Sequence, residues 1–102
     1  MTWHSVLAED QLQINKPVGL ELDGEPVVIV KTEAGIYALS DVCSHAEVAL
    51  SEGTVSEGKI ECWLHGAQFD LATGAPLCLP ATKSVPVFPT RLNNEKVEVE
   101  IN

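Results

Sequence analysis

Residues 43–65 read CSHAEVALSEGTVSEGKIECWLH. The stretch opens with Cys43-Ser44-His45 and closes with Cys62-Trp63-Leu64-His65, so two of three cysteines and two of three histidines fall in two short clusters. On an extended or looped backbone, the side chains of Cys-x-His can point to one side. Cys-x-x-His in a tight turn can aim both side chains at one object. Each cluster then offers one S and one N, and two such loops can clasp an object from opposite sides. Thiolate is a soft ligand and imidazole a borderline one, which leaves zinc and iron–sulfur as candidates. A single zinc ion would accept two S and two N donors in a tetrahedron. A [2Fe–2S] rhomb would accept both thiolates on one iron and both imidazoles on the other.

The other totals narrow the setting. At 102 residues the chain is expected to form one domain, residues 1–102, with one core. Six basic against fifteen acidic residues give a formal charge of −9, which repels nucleic acid and suits long-range steering toward a basic protein partner. The opening segment MTWHSVLAEDQLQI has no Lys or Arg and no apolar signal-type run, and Val27-Val28-Ile29-Val30 is far too short for a membrane span. The expected compartment is the cytoplasm, without membrane or nucleic-acid partners. Three cysteines there do not read as a disulfide framework. Cys78, in PLCLP, reads as a small buried hydrophobe.

The rhythm along the chain is that of short strands. VGLEL (18–22), PVVIVKT (26–32) and IYALS (36–40) form a meander through turns at Asp23-Gly24-Glu25 and Glu33-Ala34-Gly35. KIECW (59–63) and AQFDL (67–71) form a second pair across Leu64-His65-Gly66. Pro86 and Pro89 make 85–93 an edge or irregular strand. After a turn at Asn93-Asn94, Val97, Val99 and Ile101 alternate inward against Glu98 and Glu100. Residues 6–14 and the stretch HAEVALSEG are each expected to hold no more than a short helical turn, with Leu12 starting to pack. The expected organisation is an all-β base, from 1 to about 40 and about 84 to 102, with an inserted loop-rich lobe at about 41–83.

Cys43-Ser44-His45 with Cys62-Trp63-Leu64-His65-Gly66 resembles the Rieske [2Fe–2S] signature. ECWLHGAQFDLATGAPLCLPATKSVPVFPTRL is further similar to the cluster loop, proline-rich loop and returning strand of Rieske ferredoxins that serve aromatic-ring-hydroxylating dioxygenases, such as those of biphenyl or carbazole dioxygenases. The resemblance covers nearly the whole chain and implies the Rieske fold, an antiparallel β-sandwich with an inserted cluster-binding lobe. It implies one [2Fe–2S] cluster, with Cys43 and Cys62 ligating an inner iron through Sγ. His45 and His65 then ligate an outer iron through Nδ1, with Nε2 near solvent. Gly66 is expected to let the backbone pass close to the cluster. Pro76, Pro80 and Pro86 are expected in a stiff shielding loop, and Trp63 as a screen or rim aromatic. His4 reads as an ordinary surface or packing histidine, and Asp41 and Asp70 as turn formers.

No Gly-x-Gly-x-x-Gly and no second histidine set for a mononuclear iron is present, so the chain is expected to carry electrons and not to transform a substrate. By resemblance it takes one electron from an NAD(P)H-dependent ferredoxin reductase and gives it to a terminal oxygenase, docking both transiently near His45 and His65. The alternatives are a small Rieske subunit of a larger oxidoreductase, such as a nitrite reductase, and a zinc-stabilised interaction module. High-potential Rieske proteins carry an extra loop disulfide and two hydroxyl donors near the cluster. The matching positions here are Val48, Leu64, Ala67 and Phe69, none of which supplies them. Hydrogen-bond donors stabilise the more negative reduced state, so their absence lowers the potential. A redox titration is therefore expected to give a midpoint near the low end of the Rieske range, roughly −150 mV. A positive midpoint would contradict this tuning.

Overall fold

The Val27–Val30 run shows no alternation because its strand is covered on both faces. In the computed structural model, which describes residues 2–42, 48–63, 66–77 and 83–101, these four residues are all 0 % exposed on β3 (Glu25–Thr32). β3 pairs antiparallel with β2 (Val18–Leu22) on one side and β4 (Gly35–Ser40) on the other. Neighbouring side chains on a strand point to opposite faces. Val27 and Ile29 therefore pack with Val97, Val99 and Ile101, whereas Val28 and Val30 pack with Leu50, Ile60 and Phe69. Burying each such side chain contributes about 1.5–3 kcal/mol, so this strand anchors both cores.

One cover is the sheet β1 (Thr2–Ala8), β10 (Lys96–Ile101) and β9 (Thr90–Asn93), in the order β1-β10-β9. The other is the lobe, in which β5 (Thr54–Ser56), β6 (Lys59–Glu61) and β7 (Gln68–Asp70) form an antiparallel meander. The expected all-β, antiparallel sandwich is what the chain forms. Val97, Val99 and Ile101 point inward as their alternation requires, at 0 %, 0 % and 7 % exposure.

The expected irregular strand at 85–93 is two strands that belong to different sheets. β8 (Val87–Phe88) pairs with β4, and after Pro89 the chain crosses over to pair with β10 as β9. Proline has no N–H to give a ladder, so the switch falls where one is not needed. Its carbonyl is still used, accepting the Glu100 N–H at 3.0 Å.

Three local expectations shift. Residues 6–14 hold a short 3₁₀ turn at Glu9–Gln11, with Leu12 buried as expected, but Thr2–Ala8 before it is a strand. A register shift between Ser5 and Leu7 breaks its period of two and lets both Val6 and Leu7 pack inward, which hides the strand signal. β5 offers only Val55 to the core and is too short to show a pattern. The turn expected at Asn93-Asn94 lies one residue later, with Asn94 and Glu95 at φ 52° and 66°, because Asn93 is still paired with Lys96.

Gly74 ties the lobe to the returning segment. Its N–H donates to Asp70 O at 2.7 Å and its carbonyl accepts the Val85 N–H at 2.9 Å. At φ +76° a Cβ would collide with the Val85 carbonyl. Gly58 has the same φ of +76° with nothing near the Cβ position. Gly74→Ala is expected to cost about 3 kcal/mol, strain plus overpacking, and Gly58→Ala about 1 kcal/mol from strain alone. Denaturant unfolding of the two variants checks the difference, and equal losses would show that the close approach carries no weight.

Candidate metal centre

The second predicted loop is closed by its own backbone. After the Glu61–Gln68 register pair, the Cys62 N–H donates to Ala67 O at 2.7 Å and Cys62 O accepts the Gly66 N–H at 3.1 Å. Gly66 takes φ +73°, the left-handed conformation that lets so short a loop return. Gln68 Nε2 donates to Glu61 Oε1 at 2.9 Å and braces the same hairpin from its side chains. The Cys62 side chain is buried at 0 % exposure, in the core with Leu50, Ala67 and Phe69, and forms no disulfide.

The first predicted loop is closed at its base as well. Val42 and Ala49 form an antiparallel bridge, and the Leu50 N–H donates to Asp41 O at 3.3 Å. Leu50 opens a 3₁₀ turn, Leu50–Glu52, and shares its core with Cys62. The bases of the two loops are thus packed on one hydrophobic cluster. Cys43, His45 and His65 lie outside the described residues, as do Leu64, Cys78 and Pro80. Of the predicted ligands, the structure describes Cys62.

Cys62 and its surroundings fit an iron–sulfur group. The thiol stands at the root of a tight loop, inside an apolar core, and forms no disulfide. Ala67 and Phe69 are fully buried and carry no hydroxyl, so the positions matched to the two hydroxyl donors are apolar here. Val48 is partly buried against the same core. Trp63, beside Cys62, is 53 % exposed and so lies at the rim.

The residues expected to stand apart do so. His4 lies on β1, with Nε2 3.3 Å from Asp23 Oδ2 at the β2–β3 turn. Asp70 makes a local turn, its Oδ2 accepting the Thr73 N–H at 3.1 Å and hydroxyl at 2.8 Å. Asp41 does more than turn the chain. It is 8 % exposed and its carboxylate binds Ser51, a contact too distant in sequence for turn patterns to reveal.

A family model of the Rieske [2Fe-2S] domain matches residues 2–89, and the chain belongs to that family. It carries the Rieske-type [2Fe–2S] group, which removes the zinc alternative, and it is an electron-transfer protein rather than an enzyme. The chain is 36% identical over 99 residues to the anthranilate 1,2-dioxygenase ferredoxin subunit of Burkholderia cepacia, covering 97% of this chain and 92% of that one. Its structure is similar to the ferredoxin of carbazole 1,9a-dioxygenase from Nocardioides aromaticivorans IC177, at a TM-score of 0.93 and 35% identity over 97% of both chains. It is also similar to a chain in a complex of reduced oxygenase and oxidized ferredoxin in carbazole 1,9a-dioxygenase, at a TM-score of 0.90 and 32% identity over 95% of this chain and 91% of that one.

Phe69→Tyr would restore one buried hydroxyl donor. It is expected to raise the midpoint by about 40–60 mV, the equivalent of one net hydrogen bond in a one-electron couple. Redox titration of the variant against the parent checks this, and an unchanged midpoint would show that position 69 does not address the cluster.

Proposed function

We propose that the chain is a low-potential Rieske ferredoxin. It takes one electron from an NAD(P)H-dependent ferredoxin reductase and passes it to a terminal aromatic-ring-hydroxylating oxygenase. The observation that carries this is the 36% identity, across 97% of the chain, to a ferredoxin subunit of such a system. The similarity at 32% identity to a chain solved with its oxygenase supports the oxygenase as the acceptor. Cytoplasm is the proposed setting; among the described residues, no helix is long and apolar enough to cross a membrane.

Cys43, Cys62, His45 and His65 are the proposed ligands, with the thiolates on the inner iron and the imidazoles on the outer one. The bound cluster supplies a one-electron couple. The protein's own part is to hold the two loops together, keep water from the buried thiolate and present the histidine edge to partners. Support for the docking end comes from exposed apolar side chains beside the ligand loops. Val42, Trp63 and Leu77 are 40 %, 53 % and 51 % exposed, and Val42 and Trp63 each neighbour a ligand cysteine in sequence. A shuttle needs brief contacts with two partners in turn, for which a small apolar rim within a strongly acidic chain is suited.

Two substitutions separate cluster binding from docking. Cys62→Ser is expected to abolish the visible absorbance of the purified protein. Trp63→Ala is expected to leave the absorbance and EPR spectra intact while slowing reduction of a purified aromatic-ring oxygenase about tenfold, the loss of one interface anchor. Full electron transfer with Trp63→Ala would remove this residue from the docking face. Failure of the loaded wild type to reduce any such oxygenase would overturn the proposed acceptor.

A further inference from the structure

Asp41 is the last described residue but one before Cys43 and is 8 % exposed. A buried carboxylate needs donors, and both oxygens have one. Oδ1 accepts the Ser51 backbone N–H at 2.6 Å, and Oδ2 accepts the Ser51 hydroxyl at 2.7 Å. The backbone of Asp41 is held too, its N–H donating to Pro26 O at 3.0 Å. Asp41 and Ser51 lie on the two limbs of the first ligand loop, just outside the Val42–Ala49 bridge. A third element closes on the pair. Gly19 on β2 is exposed and has an ordinary extended backbone, so nothing in its conformation calls for glycine. Yet a Cβ there would lie 2.5 Å from Ser51 Oγ and 2.7 Å from Asp41 Oδ2. Glycine at 19 leaves the pair its room.

We infer that Asp41 and Ser51 are the positioning pair of the first ligand loop, and that their two hydrogen bonds, given space by Gly19, hold the two limbs of that loop together at its base and so support ligation of iron by Cys43 and His45. The inference rests on the ligand assignment proposed above. Hydrogen bonds to a carboxylate are roughly twice as strong as neutral ones, and this pair spans the mouth of the loop instead of a local turn. The carboxylate also places negative charge beside the loop, where it opposes an added electron.

The test uses the full-length, cluster-loaded protein and its variants Ser51→Ala, Ser51→Thr, Gly19→Ala and Asp41→Asn. Cluster loss in excess iron chelator is followed by visible absorbance, and g values and midpoint are measured on the same samples. Ser51→Ala and Gly19→Ala are expected to lose the cluster about tenfold faster, with altered g values, and Ser51→Thr to restore the parent rate by restoring the hydroxyl. Asp41→Asn is expected to lose the cluster faster and to raise the midpoint, which Ser51→Ala does not. If Asp41→Asn fails to fold, the two Ser51 variants and Gly19→Ala decide the matter. Parent-like rates and g values in Ser51→Ala and Gly19→Ala would overturn the positioning role while leaving the ligand assignment intact. A wild type that binds no cluster would overturn the ligand assignment and this inference with it.

Discussion

Burial of β3 on both faces is the constraint on which the other layers depend. Val27 and Ile29 need one cover and Val28 and Val30 another, and no single sheet can supply both. The terminal strands β1 and β10 meet the first need. The second is met by the lobe, whose inward residues Leu50, Val55, Ile60, Phe69 and Leu71 are the same ones that hold the bases of the ligand loops. Packing and cofactor placement are therefore one problem in this chain. Cys62 is at once a core residue and a proposed ligand, and the lobe is held in place by the hydrophobic surface it covers.

Hydrogen bonds at the roots close the two loops above that core. Cys62 closes its loop through Ala67 and Gly66, and Asp41 closes the other through Leu50 and Ser51. Such pre-closed loops suit electron transfer, in which the site should change shape little between oxidation states. The chain's acidity and its exposed Trp63 and Leu77 act at a different level, on how partners meet it rather than on what it holds.

Much of this could be read from the sequence because it rests on local rules. Asp23-Gly24 turns and alternating valines mark the β2–β3–β4 meander and β10, and Pro86 and Pro89 mark 85–93 as irregular, though not as two strands of different sheets. The paired Cys/His spacings point to the centre before any fold is known. What stayed hidden depends on distant partners. β1 lost its alternation to a bulge that exists only because β10 lies opposite, and β5 is a strand only because β6 pairs with it. Asp41 looks like a turn former until Ser51 and Gly19 are brought against it, and the glycine at 19 makes sense only in that company.

The proposed His-ligated [2Fe–2S] centre between these two loops is the claim on which the function rests. EPR of the dithionite-reduced full-length protein, with iron counted on the same sample, tests that most directly. About two irons per chain are expected, with a rhombic signal whose average g is lower than that of an all-cysteine cluster, as imidazole ligation of one iron requires. An all-cysteine-type signal, or a colourless protein with no signal, would contradict it.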